Sequence, residues 1–182
     1  MSSAQLVKLN STMIGILCQH RSGHSAYEQN LSNTNNLEMF PELDINCKDV
    51  DLYFDQLPKN SVFSMMVSPN SFTLMQKYKN IDWQIFMRKD VITQCLSFIY
   101  TNKTQISRDN QTQIVDVDIN LIDYFVDNFK IVNDIKSKNI YPVYYYEDQS
   151  MPNTVFKKNN NNYKKLIKNI DDVMEKINYL LP

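Results

Sequence analysis

The apolar positions of the chain alternate between two rhythms. Met13 to Cys18 is a short unbroken apolar run that ends at a polar, glycine-containing turn, the pattern of a buried strand. The segment after it, Ser25 to Asn33, carries Tyr27 and Leu31 four residues apart, which predicts a helix with one apolar face. Asn30 to Asn36 is polar and Asn-rich and reads as a loop. Val50, Tyr53, Phe54 and Leu57 share a face of a short helix between Lys48 and Leu57. Ser61–Val67 and Trp83–Met87 predict two further strands, with a helix over Ser71–Tyr78 between them. Asp90 stands at an N-cap position before a helix whose stripe is Val91, Cys95, Phe98 and Ile99.

Strand and helix thus alternate through the first hundred residues. That order predicts an α/β fold, a central mainly parallel sheet with helices crossing on both faces. A long amphipathic helix over Asp118–Lys138, a strand over Ile140–Tyr146 and a closing helix over Tyr163–Leu181 complete one domain spanning residues 1–182. Lys157–Asn162 reads as a solvated loop, and no internal repeat is visible.

Composition narrows the function classes. Nineteen basic residues against twenty acidic ones leave a formal net charge of -1. No domain-wide basic field exists for nucleic acid, although a local anion site is compatible with that balance. Cys18, Cys47 and Cys95 are odd in number, widely spaced and without a CxxC pair, which argues against a disulfide framework or a zinc knuckle. Neither a leader peptide nor an apolar run of the roughly 20 residues that span a bilayer is legible. The expectation is a soluble cytoplasmic protein without membrane or nucleic-acid partners.

The chemistry concentrates at Gln19-His20-Arg21-Ser22-Gly23-His24-Ser25, a turn between the first strand and the first helix. Free amides and the helix dipole favour an anion there. Arg21 can fork onto a phosphate while Ser22 and Ser25 donate hydroxyls. The chain has no Gly-Lys pair, so the nucleotide-hydrolase form GxxxxGK[ST] is not met. A helical metal site from His20, His24 and Glu28 would require an unbroken helix through Gly23.

The HRSGHS stretch resembles the [PQ]RSGS[ST] loop that holds the 5′-phosphosulfate in sulfotransferases using 3′-phosphoadenosine 5′-phosphosulfate. Residues 85–98, IFMRKDVITQCLSF, are similar to the strand-to-helix element HRxDxxxQAVSF of trehalose-type bacterial sulfotransferases, with Asp90, Gln94 and Phe98 also matching. The resemblance implies a P-loop fold of three layers. It implies that Arg21, Ser22, Gly23, His24 and Ser25 bind the 5′ end of the cofactor and that Arg88 and Ser97 bind its 3′-phosphate. It implies Glu38, in NNLEMF, as the base that activates an acceptor hydroxyl such as that of a carbohydrate, with Arg21 stabilising the developing charge. The family's strand-two lysine falls near Met65 or Met66, and Lys157 and Lys158 stand where a C-terminal cofactor loop would be. Two alternatives stay open: a non-catalytic nucleotide-binding module, and a small P-loop kinase.

Overall fold

The computed structural model describes residues 13–43, 49–105, 113–149 and 162–181. Cys47, Lys157 and Lys158 lie outside these residues, as does most of the Lys157–Asn162 segment.

Five strands form one sheet: β1 (Ile14–Cys18), β2 (Glu38–Met39), β3 (Ser61–Met66), β4 (Asp82–Met87) and β5 (Val143–Tyr145). Their spatial order is β2-β3-β1-β4-β5, and every pairing is parallel. The helices are α1 (His24–Asn35), α2 (Val50–Asp55), α3 (Ser71–Lys77), α4 (Val91–Thr104), α5 (Asn120–Ser137), α6 (Tyr163–Leu166) and α7 (Ile170–Leu180). The result is the expected three-layer α/β architecture, a parallel sheet flanked by helices. Among the described residues no helix is long and apolar enough to cross a membrane.

Strand period two sorts the side chains onto two faces. Leu17, Phe63, Met65, Trp83, Ile85 and Met87 point to one side and pack with Phe54, Met75, Val132 and Ile135 from α2, α3 and α5. Ile14, Ile16, Cys18, Val62 and Phe86 point to the other and meet Tyr27 of α1 and Leu37. A third cluster, with Cys95, Ile99, Phe125, Val126, Val173 and Ile177, joins α4, α5 and α7 away from the sheet. Gly15 has a steric reason: a Cβ there would lie 2.6 Å from the Trp83 ring.

Three expectations change. Asn30–Asn36 is not a loop, because α1 runs on to Asn35 and ends when Asn36 turns left-handed (φ 53°). Asparagine tolerates that conformation, so the run of Asn ends the helix only at its last member. The closing helix is broken at Ile167–Asn169. Ile167 is extended and bridges Val115, and the Asn169 side chain both donates to the Val117 carbonyl (3.0 Å) and accepts from its N–H (3.0 Å). The last strand is only Val143–Tyr145, and Tyr146–Asp148 coils into a 3₁₀ turn.

The sheet order creates a topological switch. β1 connects through α1 toward the β2 edge, whereas β4 continues through α4 toward the β5 side. The switch point lies outside the carboxyl ends of β1 and β4, where such sheets bind ligands.

Candidate functional site

The β1–α1 loop and the β4–α4 junction meet at this switch point. Gln19 is buried and its amide donates to the Phe125 carbonyl (2.7 Å), tying the loop to α5. The Ser22 N–H donates to the Gln19 carbonyl (3.1 Å), which closes a tight turn. Arg21 (φ 60°) and Gly23 (φ 87°) are both left-handed. Gly23 is required twice, by its backbone and by Tyr146, whose ring carbons would lie 2.5 Å from an added Cβ. His24 begins α1, and while the Ala26 and Tyr27 N–H groups donate to the Gly23 carbonyl (3.2 and 3.4 Å), the amides of His24 and Ser25 have no acceptor within the helix.

α4 supports the loop from the side. Gln94 donates to the His20 carbonyl (2.8 Å), and Arg21 Nε donates to Ser97 Oγ (3.1 Å). Ser97 in turn donates to the Tyr163 hydroxyl (3.1 Å). The phosphate-binding pair implied by the resemblance is therefore differently arranged: Ser97 is joined to Arg21. Arg88 lies with its guanidinium 4.7 Å from the centre of the Tyr146 ring and its Nε 3.8 Å from Glu147. That Nε is buried and without a hydrogen-bond partner. Glu147 instead accepts from the Lys89 N–H (2.9 Å) and the Asp90 N–H (3.4 Å), while Asp90 caps α4 through the Thr93 N–H (3.0 Å). Tyr146 thus touches both halves of the site, Gly23 and Arg88.

Glu38 does not belong to this assembly. It is exposed on the edge strand β2, opposite Ser61 at the amino end of β3. The loop lies beyond the carboxyl end of the sheet, five strand residues or about 16 Å away. The carboxylate beside the loop is Glu42, whose Oε2 is 3.2 Å from His24 Nε2. Met65 is core and Met66 is partly buried, its sulfur 3.9 Å from Cys18 Sγ, so β3 brings no lysine to the site.

Around His24 the structure gathers titratable groups. Burial disfavours a charged imidazole at His24, but the Cys18 sulfur and the Glu42 carboxylate outweigh it and raise its pKa to about 10. Burial pushes the Cys18 thiol up, against the opposing pull of the neighbouring His24. Glu28 is buried and pushed up to about 7 by burial, against the opposing pull of His24 and of Ser64, which donates to it at 3.4 Å. His20 is shifted the other way by burial and stacks on Phe98, so the His20–His24–Glu28 spacing does not converge on one point. Ser22 is fully buried, its hydroxyl 3.5 Å from His24 Nδ1, and Ser25 is exposed on the first turn.

Sequence reasoning missed Glu42, Tyr146 and Glu147 as parts of the site. Only the pairing register separates Glu42 from Glu38. Chain order hid Tyr146, which follows β5 and arrives at Gly23 from 123 residues away. The chain matches no protein-family model, and no curated protein matches it either.

Proposed function

We propose that this chain binds 3′-phosphoadenosine 5′-phosphosulfate and transfers its sulfuryl group to a hydroxyl acceptor. The observation that carries the reading is Arg88. Its buried Nε has no hydrogen-bond partner and only the 3.8 Å ion pair to Glu147, at the carboxyl end of β4 and beside an amide-lined loop. A phosphate oxygen lodged there would supply the missing acceptor, and a buried donor left unmatched otherwise costs about 1–3 kcal/mol. Donors of this kind fit a ligand with two separate phosphate groups, one at the loop and one at Arg88.

In this reading the amides of His24 and Ser25 and the exposed Ser25 hydroxyl hold the 5′ end, buried Ser22 shapes the turn from beneath, and protonated His24 adds positive charge. Arg21, anchored on Ser97, faces charge that develops during transfer. The cosubstrate supplies a sulfuryl group already activated on a phosphate. Glu42 takes over the role expected of Glu38 and accepts the proton of the acceptor hydroxyl. The acceptor O–S bond forms as the S–O bond to the phosphate breaks, and the electron pair leaves on the phosphate oxygen.

Calorimetry with adenosine 3′,5′-bisphosphate and with magnesium ATP tests the assignment. The bisphosphate is expected to bind more tightly than ATP, and Arg88→Ala to weaken it roughly 10- to 100-fold, the value of a lost charge-assisted hydrogen bond. Equal binding of ATP, or indifference to Arg88→Ala, would sink the proposal. A second reading, nucleotide binding without turnover, is favoured by Met66 standing at the carboxyl end of β3 where the resemblance expects a lysine. It predicts bisphosphate binding with no sulfated product.

A further inference from the structure

Two consecutive cations, Arg88 and Lys89, follow β4, and two nearby acids, Glu147 and Asp148, follow β5. The two strands are parallel neighbours with Met87 opposite Tyr145, so both pairs emerge together at the carboxyl edge of the sheet. The acids then meet the cations in order. Glu147 Oε1 lies 3.8 Å from Arg88 Nε, and Lys89 Nζ lies 2.5 Å from Asp148 Oδ1. Glu147 does more than pair. Its Oε2 accepts from the Lys89 N–H (2.9 Å) and its Oε1 from the Asp90 N–H (3.4 Å). Its two oxygens are thus spread over two amides and a guanidinium, the kind of donor set a phosphate takes.

The turn that carries Glu147 is held in place. Tyr146–Asp148 is a single 3₁₀ turn, closed by the Gln149 N–H on the Tyr146 carbonyl (3.2 Å). The Tyr146 ring packs against Gly23 and covers one face of the Arg88 guanidinium, which leaves the N–H edge for an anion. Yet the fit of Glu147 is incomplete. A separation of 3.8 Å exceeds hydrogen-bond distance, and Arg88 Nε stays unmatched. A carboxylate has two oxygens in one plane. A phosphate carries more oxygens, set tetrahedrally, and more charge, so it can keep the amides and reach Nε as well.

We infer that the Glu147 carboxylate is an internal competitor for the Arg88 position, and that a phosphate binds there by displacing it. The inference rests on the reading of Arg88 as a phosphate ligand and adds the regulation of that site. The Glu147 contact stabilises the protein without ligand, and ligand affinity is lowered by the same free energy. A ligand carboxylate gains little by the exchange, whereas a phosphate dianion gains the Nε hydrogen bond. The competitor therefore filters ligands by charge and oxygen count.

Calorimetry on the full chain with adenosine 3′,5′-bisphosphate and with pyrophosphate tests this, with thermal unfolding alongside. Glu147→Gln keeps an accepting oxygen and removes the charge. It should tighten both ligands roughly 3- to 20-fold, the gap between charged and neutral hydrogen bonds. The same variant should unfold at a lower temperature when no ligand is added, so affinity and stability move in opposite directions. A residue that merely supported the site would lose both. Asp148→Asn, in the half-exposed pair, should gain about threefold or less. Glu38→Gln makes an equal charge change at the far end of the sheet and should stay within about twofold. Adding Arg88→Ala to Glu147→Gln should abolish most of the gain.

Unchanged or weaker binding in Glu147→Gln, or a gain that survives Arg88→Ala, would overturn the inference. If the wild type still prefers the bisphosphate to magnesium ATP, the cosubstrate reading stands in that case. An Arg88-dependent gain for pyrophosphate, with no preference for the bisphosphate over magnesium ATP, supports the competition and removes the cosubstrate reading alone. Failure of wild type and Glu147→Gln to bind either ligand would overturn both.

Discussion

The two faces of the sheet are built from the same three strands and have opposite chemistry. One face is apolar throughout the centre, with Leu17, Phe63, Met65, Trp83 and Ile85 all nearly sealed from solvent. The other interleaves Ile16, Val62 and Phe86 with Cys18, Ser64 and Gln84, and α1 adds Tyr27 and Glu28 on top of them. Each polar group there has a partner: Tyr27 donates to Gln84 Oε1 (2.8 Å), Ser64 to Glu28, and Cys18 to the Met65 carbonyl (3.6 Å). The first face is a stability device insensitive to pH. The second holds ionisable groups against the loop and makes the fold respond to protons.

The strongest way to sharpen this contrast is a truncation on the apolar face. Phe63→Ala should cost about 3–5 kcal/mol in urea unfolding, with the same loss at pH 5 and pH 9, because no charge is involved. If the loss changes with pH, the division between the faces is wrong.

The polar face should show itself in the wild type. Glu28 titrates near 7 in the fold against about 4.5 unfolded, so between those values the folded chain holds an extra proton and stability falls as pH rises. His24 titrates near 10 against 6.5, so its contribution is fully present below about pH 6.5 and is lost as pH climbs toward 10. Each group can contribute a slope of up to about 1.4 kcal/mol per pH unit within its window. Urea midpoints measured from pH 5 to 9 should therefore decline steadily. Glu28→Gln should flatten the curve below pH 7 and leave the upper part intact; an unchanged curve would show that Glu28 is not the group responsible.

A smaller effect tests how tightly the apolar face is fitted. Gly15→Ala places a methyl against the Trp83 ring and should destabilise by about 1–3 kcal/mol in thermal unfolding. A neutral result would mean that the indole can shift and that this face is looser than its burial suggests.

Much of this was legible in the chain. The strand cores and the long helices announced themselves because one face of each is apolar with the right period, and the loop announced itself because Gly23 and Arg21 sit directly after a buried strand. What escaped depends on pairing rather than on local pattern. β2 has two residues and no periodicity, yet its register with Ser61 decides that Glu38 lies at the far end of the sheet and Glu42 at the near end. Arg88 was legible as a cation after a strand, but its actual neighbours, Tyr146 and Glu147, come from a turn about sixty residues later. Ser97 was expected beside Arg88 because both follow β4; the helix instead carries it round to Arg21.

The central position of β1 also sets an order of events during folding. It is the first strand of the sheet among the described residues, yet its partners are β3 and β4, so one edge stays bare until residue 66 and the other until residue 87 has been made. The supports of the loop come later still, from Phe125, Tyr146 and Tyr163. Pairings this distant in sequence slow collapse to the native state and leave an apolar strand open to the wrong partner meanwhile. β1 and the loop after it, though they precede all these partners in the chain, are thus among the last elements to acquire their working shape.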